Sequence, residues 1–326
     1  MTSRTRYFLT GSTLVVALGL GTGLVAYYKG DLPLFKAMAG PVELRYVPAD
    51  ATGVAYANVR DIMNSEFRQK LQQALPTGQG KDEFLQKTGI DIERDIESVV
   101  AASTAAGDPT QSGILLIRGS FDEGRIETLL RSHNGTVEDY MGKRLLVGPG
   151  PEEMALVFPE SGLAMFGRSA AVKRALDTST SHQDVTGNSE MMRLIGQIDG
   201  GGNTAWAVGS LDAVTNSPSV PAQVKDQMPG IRYIAVAAHV NGGVTGLLRA
   251  EAKDDKAATD LRAVVNGAIA AGHLVGGTDA KFAGFLSSLQ VTGSGKDVAV
   301  TFSMPSEMLA MIGAIGQQHQ LDIKKD

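Results

Sequence analysis

The 326-residue chain contains no cysteine. That absence excludes disulfides, a thiol nucleophile, cysteine-ligated zinc, iron–sulfur clusters and a lipid-modified N-terminal cysteine. Aromatic residues are scarce at 6%, with a single tryptophan, and histidines number five. No two of His133, His182, His239, His273 and His319 are spaced as a local metal motif, and no H-E-x-x-H occurs. There is no G-x-S-x-G, so no local sign of an activated serine. Gly293-Ser294-Gly295-Lys296 lacks both the first glycine of a phosphate loop and the hydroxyl after the lysine, and reads as a hairpin turn. Gly200-Gly201-Gly202 precedes a strand and reads as a connection. The acidic pairs Glu152-Glu153 and Asp254-Asp255 read as turn and helix-start residues rather than an acid–base pair. The run Asp91, Glu93, Asp95, Glu97 lacks calcium-loop spacing. Asn134-Gly135-Thr136 fits a glycosylation pattern, but an Asn-Gly turn is the simpler reading. No catalytic, cofactor or metal residue is nominated, and the chain is expected to be non-enzymatic.

What is present is a folding composition. Apolar residues make up 43% and charged residues 20%, which excludes a mostly disordered chain, a coiled coil or a collagen-like rod. Arg4 and Arg6 precede an apolar run of 21 residues, Phe8 to Tyr28, without charge. At about 1.5 Å per residue such a run spans a bilayer core of about 30 Å. Tyr27, Tyr28 and Lys29 form an interfacial anchor, and Gly19 and Gly23 a helix-packing pair. The rival, a cleaved signal peptide, needs a shorter run with a cleavage site just after it, and Ala37-Met38-Ala39 lies too far downstream. The expectation is a single-pass inner-membrane protein, N-terminus cytoplasmic and main domain periplasmic, because long domains translocate largely regardless of charge. Beyond the run, 27 basic residues (30 less Arg4, Arg6 and Lys29) face 35 acidic ones, a net of −8. That charge disfavours nucleic acid as a partner.

The expected organisation is residues 1–29 cytoplasmic N-terminus and membrane helix, 30–44 tether, 45–190 a first α+β unit, 191–318 a second, and 319–326 a polar tail. The fold class is α+β, with the membrane helix followed by two related ferredoxin-like β-α-β-β-α-β units and extra hairpins. Ala205-Trp206-Ala207-Val208 parallels Ala55-Tyr56-Ala57-Asn58, so the second half repeats the plan of the first. Leu261, Val264, Val265, Ala268 and Ile269 form one stripe of a helix expected over 253–271. Pro305 is expected to open a last helix bearing Met308, Leu309, Met311 and Ile312. Trp206 reads either as core or as a partner contact.

The anchor, Tyr46-Val47-Pro48-Ala49-Asp50, the strand Val54–Val59, and Thr88-Gly89-Ile90-Asp91 before Asp95-Ile96 resemble a poorly characterised group of bacterial single-pass membrane-anchored proteins with a large extracytoplasmic domain of unknown function. The resemblance covers mainly residues 1–105 and implies a location and a fold, no site residues. The expected function is contact with other membrane-protein subunits, as an accessory or stabilising subunit of a larger membrane complex, of which a photosynthetic or respiratory complex is one case that the sequence does not select. The alternative is an extracytoplasmic binding module for a small apolar or lipid-like ligand held between the two units.

Overall fold

The computed structural model describes residues 40–69, 79–104, 113–150, 153–199, 202–211, 230–276, 280–306 and 308. Twelve strands form one sheet in the order β11-β12-β10-β9-β8-β1-β2-β3-β7-β6-β5-β4. In chain order they are β1 Gly53–Asn58, β2 Ile96–Ser103, β3 Gly113–Gly119, β4 Thr136–Tyr140, β5 Lys143–Val147, β6 Met154–Glu160, β7 Leu163–Arg168, β8 Ala205–Ser210, β9 Ile231–Val240, β10 Gly243–Ala252, β11 Gln290–Thr292 and β12 Asp297–Pro305. The helices are α1 Val59–Asn64, α2 Gln79–Thr88, α3 Ile92–Asp95, α4 Glu123–Ser132, α5 Ser169–Ser181, α6 Ser189–Ile198, α7 Asp255–Gly276 and α8 Ala280–Ser288.

This corrects the expectation of two ferredoxin-like units. Each described strand pairing is antiparallel, and β1 and β8 join the two halves of the chain in one continuous sheet. A ferredoxin-like unit interleaves its strands through crossovers, whereas here β1, β2 and β3 lie side by side in chain order. Small residues make the seam possible. Gly53, Val54, Ala55, Tyr56 and Ala57 stand opposite Gly209, Val208, Ala207, Trp206 and Ala205.

The membrane helix of the expected fold is also corrected. Among the described residues no helix is long and apolar enough to cross a membrane. The longest of them, α7, carries Asp255, Lys256, Asp260 and Arg262 in its first turns and lies on the sheet. The single-pass inner-membrane placement is therefore not supported. The run 8–28 on which it rested, with Gly19, Gly23, Tyr27, Tyr28 and Lys29, lies outside the described residues.

Alternation along the strands sends side chains to two faces. On one face Val54, Val100, Leu116, Leu145, Val157, Met165, Trp206 and Val208 are fully buried. They pack with Val172, Ala175 and Leu176 of α5, Met191, Leu194, Ile195 and Ile198 of α6, and the 3-10 turn Val42–Tyr46. Leu44, Tyr46 and Val47 sit inside this core, so the region expected as a tether already belongs to the fold at its end. Trp206 is fully buried and stacks on Tyr56 with ring centroids 5.8 Å apart, which resolves its two readings in favour of core. Asn188 caps α6 by accepting from the Met191 N–H at 3.0 Å. The boundary expected at 190 cuts through that helix. Pro305 ends β12 and so lies before the expected helix rather than in its first turn, while Met308 is helical and buried. Leu309, Met311 and Ile312 lie outside the described residues.

Candidate functional site

The opposite face has a different character. One register row crosses all twelve strands: Val291, Val300, Leu248, Val236, Ala207, Ala55, Ala101, Leu115, Phe166, Leu156, Leu146 and Val137. None of these side chains bears a charge or a hydrogen-bonding group. At its middle, β1 shows Gly53, Ala55 and Ala57 to this face and β8 shows Ala205, Ala207 and Gly209. Together with β2, which adds Val99 and Ala101, these strands make a furrow between Leu115 and Ile117 on β3 and Ile234 and Val236 on β9. With about 4.8 Å between strands, the ridge strands β3 and β9 stand about 19 Å apart.

Helices stand at the sides of this furrow. Toward β5 lies α4, whose Glu127 pairs with Arg144 at 2.5 Å. On the far side α7 and α8 cover β10 and β12, with Ala258 against Ala252 and Val298, and Phe285 edge-on to Phe302 at 5.6 Å. At one end Phe67 packs on Val240, Val244 and Met304. Between these walls Ala55, Ala57, Val99, Ala101, Leu115, Ile117, Ala207 and Ile234 are only half-buried. Leu248 is 38% exposed. The inward stripes of the walls, Ile126, Leu129 and Leu130 on α4 and Leu261, Val265 and Ile269 on α7, are likewise half-buried. The stripe expected to be wholly buried in α7 is split: Val264 is 68% exposed, and Ala268 faces solvent with it. The helix is apolar around most of its circumference, so one sheet face cannot cover it.

The charged groups gather elsewhere. Arg118 of β3 donates from Nε to the buried Glu43 at 2.8 Å and from Nη2 to Glu160 at 2.9 Å, and Arg45 also pairs with Glu160. Burial pushes the Glu160 carboxyl up, but the Arg118 hydrogen bond and the Arg45 charge outweigh it and hold the carboxyl below its usual range. This network fastens the 3-10 turn to the hairpin of β6 and β7, and its groups are engaged with one another. The Asp199 carboxyl, after α6, is pushed up by burial, with the Trp206 indole N–H acting in the opposite direction. That Nε1 makes no well-formed hydrogen bond, so burial outweighs it.

The histidines stay apart. His133 ends α4 with Nδ1 2.9 Å from the Leu129 carbonyl, His182 ends α5 in the left-handed region, and the His239 ring meets the Gly202 carbonyl at 2.6 Å. His273 is exposed on α7 and His319 lies outside the described residues. Among the described residues no three His, Asp or Glu side chains come together as a metal site. Gly293, at φ +101°, turns the chain from β11 to β12, which is the hairpin its sequence predicts. Asp254 accepts from the Ala257 N–H at 2.7 Å and caps α7. The furrow is the feature that motif reading passed over. Its signal was the small residue at every second position of Gly53-Val-Ala55-Tyr-Ala57 and Ala205-Trp-Ala207-Val-Gly209.

A family described as "protein of unknown function (DUF3352)" matches residues 9–268. No curated protein matches the sequence. Solved structures of a protein named TP0453 are similar at 12% identity. Crystal form III aligns with a TM-score of 0.48 over 86% of this chain and 100% of that one. Crystal form I aligns at 0.46 over 85% and 98%.

Proposed function

We propose that this chain, which belongs to the DUF3352 family of proteins of unknown function, is a non-catalytic binding protein that holds the alkyl part of a lipid-like molecule. The observation that supports this reading is the half-buried, uncharged floor between α4 and α7. The backbone groups of β1 and β8 are engaged in the sheet, so the floor offers apolar contact and little else. An alkyl chain matches that chemistry, and an extended chain follows the furrow along the strands. A second reading, a subunit acting by protein–protein contact, draws on the outer side of α7. There Val264 is exposed and Leu274 is 87% exposed.

Both readings are tested on the purified full chain with a homologous series of alkyl carboxylates below their micelle concentrations. Burying one more methylene is worth about 0.8 kcal/mol, so affinity is expected to rise roughly fourfold per carbon until the furrow is filled. Ala207→Asp, which sets a charge on the floor, is expected to abolish binding while Trp206 emission reports an intact core. Affinity that does not change with chain length sinks the ligand reading. Native mass spectrometry that finds a protein partner and no alkyl adduct favours the second.

A further inference from the structure

We infer that Asn241 is a site of spontaneous deamidation, set apart by the fold from the other two Asn-Gly pairs of the chain. The inference is independent of any role for the furrow. The pairs are Asn134-Gly135, Asn241-Gly242 and Asn266-Gly267. The reaction needs the glycine nitrogen as nucleophile. It attacks the asparagine side-chain carbonyl carbon, the new C–N bond closes a succinimide, and ammonia leaves with the amide nitrogen. Water then opens the ring at either carbonyl, giving aspartate or isoaspartate. Whatever holds the glycine N–H in place slows the first step.

The three glycines differ in that respect. The Gly135 N–H donates to the Leu130 carbonyl at 2.9 Å, closing the C-terminus of α4. Gly267 lies inside α7, where its N–H belongs to the helix ladder. Gly242 sits at the tip of the β9–β10 hairpin, exposed along with Asn241, and its N–H has no partner among the described residues. The Glu66 carboxylate also lies beside Gly242. A Cβ built on that glycine would meet Oε2 at 3.5 Å, which puts a proton acceptor next to the reacting peptide unit.

The consequence is local and structural. The Asn241 carbonyl accepts the Phe67 N–H at 3.1 Å, and the Asn241 N–H donates to the Gly243 carbonyl at 3.0 Å. Isoaspartate inserts a methylene into the main chain between these two bonds. Phe67, held against Val240, Val244 and Met304, then loses the register that seats it.

The test is a peptide map by mass spectrometry of the full-length protein aged in warm, mildly alkaline buffer. Deamidation at Asn241 is expected to outpace Asn134 and Asn266 by about tenfold or more, the factor that about 1.4 kcal/mol of barrier produces. In denaturant the three sites are expected to converge, because the fold no longer distinguishes them. Gly242→Ala is expected to slow the reaction at Asn241 only. Native-state rates that are equal across the three sites, or fastest at Asn134, overturn the inference. So does a hierarchy that persists unchanged in denaturant.

Discussion

Asp199 and Glu160 are both carboxylates at the rim of the core, and their surroundings move them in opposite directions. Glu160 has two guanidinium partners, Arg118 and Arg45. Asp199 has burial and a single indole N–H that makes no well-formed hydrogen bond. A carboxyl raised on folding contributes stability that is complete below its unfolded pKa and is lost as pH rises through the folded value. A lowered one contributes above its unfolded pKa and loses that as pH falls through the folded value. Asp199→Asn is therefore expected to raise the Tm near neutral pH and to change it little in acid, with Trp206 emission as the probe. A Tm that falls near neutral pH would show that the ionised carboxylate is favoured there and that this account of Asp199 is wrong. Trp206 suits the measurement because it is the single tryptophan and is fully buried.

Among the elements, β11 and α8 show how the sheet ends. The outer edge of β12 is paired by only three residues of β11, opposite Ala299 to Thr301. Past that point Ser288, at the end of α8, takes the place of a strand. Its Oγ accepts from the Ser303 N–H at 3.0 Å and lies 3.0 Å from the Ser303 carbonyl. An uncovered edge is a template for pairing with another chain. Ser288→Ala is expected to lower stability by about 1 kcal/mol in a denaturant titration and to increase concentration-dependent association. A variant with unchanged midpoint and unchanged sedimentation would remove Ser288 from that role. Element identity was mostly legible: the strands flanking Gly107, Asn241 and Gly293, and the helices after Asp122 and Asp254, follow from turn and cap residues. The helix α6 was not read, although Met191, Leu194, Ile195 and Ile198 carry its stripe and Asn188 its cap. A boundary drawn at 190 split the pattern before its period could be counted.

At the scale of the whole molecule, the described strands form one continuous sheet rather than two ferredoxin-like units. The β1–β8 seam lies in its interior, and α6, almost wholly beyond residue 190, shares one core with Val172, Ala175 and Leu176 of the first half and Trp206, Ala235 and Ala237 of the second. A fragment ending at residue 190 leaves β1 as an open edge and strips that core of α6. The fragment 45–190 is expected to show no cooperative thermal transition, while the full chain melts in a single step followed by circular dichroism. A fragment that melts cooperatively on its own would restore two independent units.

Taken alone, the sequence determined the class of elements, the position of most turns, and the concentration of apolar character without a catalytic motif. These are local properties: a period of two, a glycine at positive φ and a capping side chain act within a few residues of themselves. The pairing of β1 with β8 was decided only in the tertiary structure, because 150 residues separate Tyr56 from the Trp206 that faces it, and no local signal chooses among edge strands. The same holds for the furrow. Each alanine reads as an ordinary strand residue. Only lateral register sets Ala101, Ala55 and Ala207 in one line between Leu115 and Val236, where the shortness of their side chains becomes a shape.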